Sequence, residues 1–347
     1  MLDLGANRFK SNLMMNGALK LDRCGIVLAA GEGERLRPLV RQIRGQVLPK
    51  QYVNFIGARS MLDHTFSRVE RLIPEERVFT VVGRNHLAYP SVNRQLSGRL
   101  EGTVVVQPQN RETGAGILLP LMYLSRLYPD AAVAVFPSDH FVLEEELFMA
   151  HVDLALRVVE HYPSYLILLG MEPDGVEREY GYILPGKRID RLAPLSVREV
   201  IRFVEKPGEH TARRLTLEGG LWNTMVMAFK VKTLLELIEE LAPRLCHLFR
   251  QIFKAIGTTA EMSRLEEVYR AMDRINFSSW LLQPLSSKKG SRLLVLPVRG
   301  VTWSDWGSEE RIKCVLQKLQ DRRPLLEICG PGAIRTFDPR AGDSRNV

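Results

Sequence analysis

Cys24-Gly25-Ile26-Val27-Leu28-Ala29-Ala30-Gly31-Glu32-Gly33-Glu34-Arg35-Leu36-Arg37-Pro38 is the stretch on which the reading of this chain turns. Its first part, Cys24–Ala30, is short and apolar throughout, as in a strand covered on both faces of a parallel sheet. Gly31 and Gly33 then break it into a loop. Glycine has no Cβ and tolerates positive φ, so backbone N–H groups in such a loop can approach phosphate oxygens. Arg35 and Arg37 could add charge-assisted bonds to a polyphosphate. The same residues would also serve a plain strand-to-loop corner. No Gly-Lys-Ser/Thr follows and no G-x-G-x-x-G is present, so this is neither a Walker A loop nor a dinucleotide fingerprint.

Working outward, further short apolar runs occur at 78–82, 103–106, 132–136 and 165–169. Between them, 61–73, 117–127 and 148–159 carry helical spacing; Phe148, Val152, Ala155 and Val159 share one helical face. This alternation predicts an α/β fold, a Rossmann-like, mostly parallel mixed sheet flanked by helices. Beyond residue 180 the rhythm changes. Longer strands are expected at 180–184, 197–204 and 222–231, then helices at 232–241, 245–256 and 262–272. A strand at 292–298 and a helix from 308 to 319 close the pattern. The expected organisation is an N-terminal extension (1–23), a core (24–231), a smaller helical C-terminal part (232–320) that returns a strand and Asp305 to the core, and a disordered tail (321–347).

Several polar residues sit where strands end. Pro49-Lys50-Gln51 shares the loop excursion after Pro38; its lysine either reaches a phosphate or is simply solvated. Pro137-Ser138-Asp139-His140 lies at the carboxyl end of a strand, where open α/β sheets bind ligands. A carboxylate there can hold Mg²⁺, which prefers oxygen ligands, or cap a turn. Glu205 and Lys206 leave another strand, able to grip sugar hydroxyls and a sugar phosphate or to form an ordinary surface pair. Asn223 can bond a ligand or satisfy a turn. Asp305 stands between Trp303 and Trp306. Brought within 4 Å of Asp139, its charge would cost about 4 kcal/mol at an effective dielectric of 20, which a shared divalent cation would remove.

The 347 residues are 45% hydrophobic and 25% charged, which excludes disordered and fibrous classes. A net charge of +8 suggests an anionic partner. Basic residues are not interleaved with aromatics as a nucleic-acid groove would need. Cys24, Cys246, Cys314 and Cys329 show no zinc or C-x-x-C spacing, so free thiols in a reducing compartment are expected. Residues 1–23 lack the apolar core of a secretory signal, and no run approaches a membrane span. A cytoplasmic protein is the expectation.

Taken in order, Leu28–Pro38, Pro49-Lys50-Gln51, Pro137–His140, Tyr180–Ile183, Phe203–Pro207, Trp222-Asn223 and Trp303–Ser308 resemble the sugar-phosphate nucleotidyltransferase family, nearest to its mannose-1-phosphate guanylyltransferases. The resemblance implies roles. Ala29, Ala30, Gly31, Glu32, Gly33 and Arg35 would wrap the nucleotide triphosphate, with Gln107 and Thr113 also at the nucleotide. Arg35 and Lys50 would hold the reacting phosphates, and Asp139 and Asp305 would bind Mg²⁺. Gly181, Glu205 and Asn223 would line the sugar pocket, and Lys206 would meet the sugar 1-phosphate. The implied reaction joins GTP and mannose 1-phosphate into GDP-mannose. UTP or dTTP with glucose 1-phosphate, and a non-catalytic nucleotide-sugar regulator, are the alternatives. The expected partners are these small molecules, with neither nucleic acid nor membrane, while a homodimer stays open. No cupin-like isomerase domain is expected to follow.

Three places depart from the family's pattern. Pro108-Gln109-Asn110-Arg111-Glu112-Thr113-Gly114-Ala115-Gly116 replaces Gly-Arg-Asn-Thr-Ala-Pro-Ala near the base, leaving the guanine preference open at Glu112. Met225 stands where a glycine normally admits the sugar. Ser278 and Ser279 stand where an aspartate is common. The charges expected to do the chemistry are kept, and the specificity walls differ.

Overall fold

The computed structural model describes residues 22–326. Its strands are β1 (Arg23–Ala29), β2 (Val78–Gly83), β3 (Val104–Gln107), β4 (Ala132–Pro137), β5 (Phe141–Val142), β6 (Leu166–Met171), β7 (Tyr182–Arg188), β8 (Arg198–Val204), β9 (Leu221–Lys230), β10 (Leu293–Val298) and β11 (Trp303–Ser304). Among the described residues, nine of them form one sheet in the order β3-β2-β1-β4-β9-β6-β10-β8-β7, and β5 pairs with β11. β3, β2, β1 and β4 run parallel, whereas β9 is antiparallel to both β4 and β6. The fold is the expected α/β architecture with a mixed sheet.

β1 explains why helices cover both faces. Alternate residues point to opposite sides: Cys24 and Ile26 enter one core, Val27 and Ala29 the other. The helix Glu112–Leu127 and the helices Val231–Leu241, Pro243–Ala255 and Glu261–Ala271 contribute to the first core. The helices Met61–Val69 and Glu145–His161, and the helix Glu309–Leu326, contribute to the second. At the amino end of β1, buried Arg23 is tied to Asp153 at 2.6 Å and to Glu160 at 2.7 Å. β1 lies between β2 and β4, so the chain order reverses at its carboxyl end, and a crevice opens there.

Some boundaries differ from the sequence reading. The helix expected from residue 117 begins at Glu112. Gly114 and Gly116, poor helix formers, hide its first turn, which is held by outside contacts described below. The closing helix continues to Leu326. The greater part of the expected N-terminal extension, residues 1–21, and residues 327–347 of the expected tail lie outside the described residues. Cys24, Cys246 and Cys314 are free thiols, and Cys329 falls in that tail. No helix among the described residues is long and apolar enough to cross a membrane.

Candidate active site

The glycine loop rests on the residues that follow Pro49. Gln51 Nε2 donates to the carbonyls of Ala29 (2.8 Å) and Gly31 (2.9 Å), and the Tyr52 hydroxyl donates to Ala29 at 3.1 Å. Gly33 has φ +59, and a Cβ there would lie 3.0 Å from the Lys50 backbone nitrogen. Close approach and handedness therefore both require glycine at this corner. Glu32 faces Asn85, 2.9 Å from its amide, and lies 3.6 Å from buried His86. It pins the loop from behind. Arg35 pairs with Glu179 at 2.8 Å, both largely exposed. Such a pair is worth at most about 1 kcal/mol, so Arg35 can exchange Glu179 for a phosphate at little cost.

Lys50 is the centre of the constellation. Its buried ammonium lies 3.0 Å from Asp139 Oδ2 and donates to the carbonyls of Asp305 (2.7 Å) and Trp306 (3.2 Å). Residues 139 and 305 meet because β5 and β11 pair antiparallel, Ser304 opposite Phe141 and Trp303 opposite Val142. Phe141 stacks on Trp306 with centroids 5.2 Å apart, clamping the two segments. The Asp305 carboxylate accepts from the Tyr180 hydroxyl (2.9 Å), the Gly307 N–H (2.9 Å) and Arg311 (2.6 Å), all at Oδ1. Burial opposes its charge, but Lys50, Arg311 and the Gly307 N–H outweigh that and hold its carboxyl below the usual range. His140 is pushed down to about 4, chiefly by burial and against the pull of Asp139 and Asp305. Trp303 Nε1 donates to its Nδ1 at 3.3 Å, which leaves the ring proton on Nε2.

The Asp139 carboxylate touches this lysine, the Asp305 carboxylate lies within its electrostatic reach, and no group of three or more metal-ligating side chains occurs among the described residues. That donor set fits Mg²⁺, which commonly takes one or two carboxylates and completes its shell with substrate phosphates and water.

Farther along the crevice, Gly181, Glu205 and Asn223 converge. A Cβ at Gly181 would stand 2.8 Å from Glu205 Oε2, and the Gly181 carbonyl accepts from the Asn223 N–H at 2.8 Å. Burial raises the Glu205 carboxyl above its usual range, against Lys206 and a hydrogen bond from Ser278. Met225 fills this corner: its sulfur accepts from Asn223 Nδ2 (3.3 Å) and from the Ser278 hydroxyl (3.2 Å). Lys206 is exposed beside it. On the other side of β1, a cavity of about 240 Å³ is lined by Leu28, Val81, Gln107, Glu112, Thr113 and Asn276, among others.

Thus Ala29–Gly33, Arg35, Lys50, Asp139 and Asp305 gather at the ends of β1 and β4, Gln107 and Thr113 line the slot, and Gly181, Glu205, Lys206 and Asn223 form the opposite corner. The sequence reading overlooked Tyr180, Arg311, Trp306 and Gln51 as supports. Of the five non-glycine residues with φ in the left-handed region among the described residues, four lie here, Glu112 (66), Lys206 (44), Met225 (57) and Trp306 (46), and Ser196 (61) lies outside the site. Backbone strain of this kind clusters at functional sites.

Residues 24–322 match the family described as Nucleotidyl transferase, and the chain belongs to that family. Among its relatives is the xanthan biosynthesis protein XanB of Xanthomonas campestris pv. campestris, 27% identical over 284 residues, which cover 82% of this chain and 57% of that protein. A mannose-1-phosphate guanylyltransferase of Escherichia coli K12 is 28% identical over 245 residues, 70% of this chain and 50% of that one. The chain therefore spans about half the length of the curated relatives it matches. A solved structure described as mannose-1-phosphate geranyltransferase from Thermus thermophilus superposes with a TM-score of 0.66 at 27% identity, covering 83% of this chain and 77% of that one. A UDP-glucose pyrophosphorylase bound to UDP-glucose shares the fold, with a TM-score of 0.54 at 16% identity over 87% of this chain and all of that one.

Proposed function

We propose that this protein is a sugar-1-phosphate nucleotidyltransferase that converts GTP and mannose 1-phosphate into GDP-mannose and pyrophosphate. The meeting of Asp139, Lys50 and Asp305 beside a glycine loop carries this reading, because it sets a fixed cation, a carboxylate paired with it and a second carboxylate within its electrostatic reach next to that loop. The names of the relatives support the choice of substrates.

In the proposed reaction an oxygen of the sugar 1-phosphate attacks the α-phosphorus of the nucleotide. The bond from that phosphorus to the bridging oxygen breaks, and the electron pair leaves with pyrophosphate. Both reactants are anions, so the protein's task is alignment and charge compensation. Lys50 is already oriented by two carbonyls and Asp139, and its charge needs no reorganisation as the transition state forms. Arg35 would leave Glu179 for the phosphates. Lys206 would neutralise the sugar phosphate, while Glu205 and Asn223 would bond its hydroxyls. Asp139 and Asp305 would hold Mg²⁺, which when bound supplies screening of the phosphate charge. Holding both reactants in line can contribute up to about 7–11 kcal/mol.

The test is pyrophosphate release in a matrix of GTP, UTP and dTTP against mannose and glucose 1-phosphates. The fastest release is expected with GTP and mannose 1-phosphate, and Asp139→Asn should lower it by about a hundredfold or more. Preference for UTP or dTTP with glucose 1-phosphate would replace the substrates. No release with any pair would leave a nucleotide-sugar-binding protein.

A further inference from the structure

The cavity beside β1 offers a base apolar walls from Leu28 and Val81 and a polar edge from Gln107, Thr113 and Glu112. At about 240 Å³ it has room for one ring system. Of the described residues lining it, Glu112 carries the only charge. Its position is built. The Asn110 side chain accepts from the Glu112 N–H at 2.9 Å, and φ at Glu112 is +66, a conformation that a glutamate adopts only at a cost. Arg274 Nε stands 3.4 Å from Glu112 Oε1 and keeps a cation beside the carboxylate.

We infer that Glu112 selects the nucleobase by accepting two hydrogen bonds from the N1–H and the 2-amino group of guanine. The inference rests on the nucleotidyltransferase reading and deepens it. An ionised carboxylate only accepts, so it needs two adjacent donors on a base edge. Guanine has them. Uracil and thymine carry one N–H between two carbonyls, which the carboxylate would repel. Adenine and cytosine place a ring-nitrogen acceptor next to their amino group. Hypoxanthine keeps the N1–H and lacks the 2-amino group. It is therefore the probe that isolates the second bond.

The experiment measures binding of GTP, ITP and UTP to the full chain by calorimetry without sugar phosphate, so no turnover is needed. GTP is expected to bind about ten- to a hundredfold more tightly than ITP, as for loss of a hydrogen bond to a charged group. Glu112→Gln should reduce that gap to about threefold or less by weakening GTP. Glu112→Gly, which the left-handed backbone favours, should do the same in a chain at least as well folded. Equal binding of GTP and ITP by the wild type would overturn the assignment. So would a gap that persists in both variants, or an equal weakening of all three nucleotides. If the wild type bound none of them, the nucleotidyltransferase reading would fall as well, an outcome distinct from GTP and UTP binding equally.

Discussion

Replacing Gly114 by alanine adds one methyl group at the tightest contact of the helix that begins at Glu112. The new Cβ would lie 2.6 Å from Ile275 Cγ2 and 2.7 Å from the Ile275 carbonyl oxygen. Ordinary contact begins at 3.4 Å, so the Ile275 segment must retreat by about 0.7–0.8 Å. That segment is stitched to the helix start by Gly114 N–H to Ile275 O (2.7 Å), Ile275 N–H to Arg111 O (3.0 Å) and Phe277 N–H to Thr113 Oγ1 (2.9 Å). The retreat costs about 1–3 kcal/mol in overpacking and about 1 kcal/mol for a weakened hydrogen bond. Alanine's better helix propensity returns about 1 kcal/mol. The net is a loss of about 1–3 kcal/mol, or roughly 2–6 °C in Tm for a chain of this size. Gly116→Ala, two residues on, is the control. Its Cβ would meet only Leu28 Cδ2, at 3.9 Å, so propensity should prevail and Tm should rise slightly. Thermal unfolding of the two variants beside the wild type checks this. Equal shifts of the same sign, or an unchanged Gly114→Ala protein, would refute the packing argument.

Other expectations can be checked alongside. Lys50→Met should lower stability, by up to about 3–5 kcal/mol, because it leaves Asp139 and the carbonyls of Asp305 and Trp306 without their cation, and pyrophosphate release should fall about 10²–10³-fold; an unchanged Tm or undiminished turnover would contradict this. His140 gives a pH dependence. The unfolded ring binds its proton near 6.5, the folded one only at about 4, so stability is complete above pH 6.5 and declines toward pH 4. The loss amounts to about 3 kcal/mol, and His140→Asn should flatten it in urea titrations at pH 7 and pH 4.5. Met225→Gly removes a left-handed strain of about 1–2 kcal/mol and releases Asn223 and Ser278 from the sulfur. Sugar 1-phosphates with bulkier rings should gain kcat/KM relative to mannose 1-phosphate, and an unchanged ranking would place Met225 outside the sugar corner.

The strand–loop unit at Cys24–Pro38 and the apolar runs after it were legible because buried parallel strands are short and uniformly apolar. Asp139 and Lys206 stood out by position, at the ends of strands. The junction that unites residues 139 and 305 was not legible. β5 and β11 have two residues each, too few for any periodicity, and they pair across about 160 positions of sequence. Arg311 escaped notice because a basic residue in the first turn of a helix reads as solvated, whereas here it crosses the Tyr180 ring at 4.8 Å to reach Asp305. The first turn at Glu112 was masked by two glycines, and the close contact of one of them, Gly114, with Ile275 is visible only in three dimensions. Nor does sequence order reveal that β10 is inserted between β6 and β8.

That insertion has a bearing on biosynthesis. While the ribosome is still short of Leu293–Val298, β6 and β8 lack the strand that separates them, and neither Asp305 nor the two carbonyls that grip Lys50 have emerged. Until those residues have been made, the nascent polypeptide carries a glycine loop without its opposing wall. Long-range closure of this kind is slow, so the arrival of β10 sets when the two walls of the crevice can first meet.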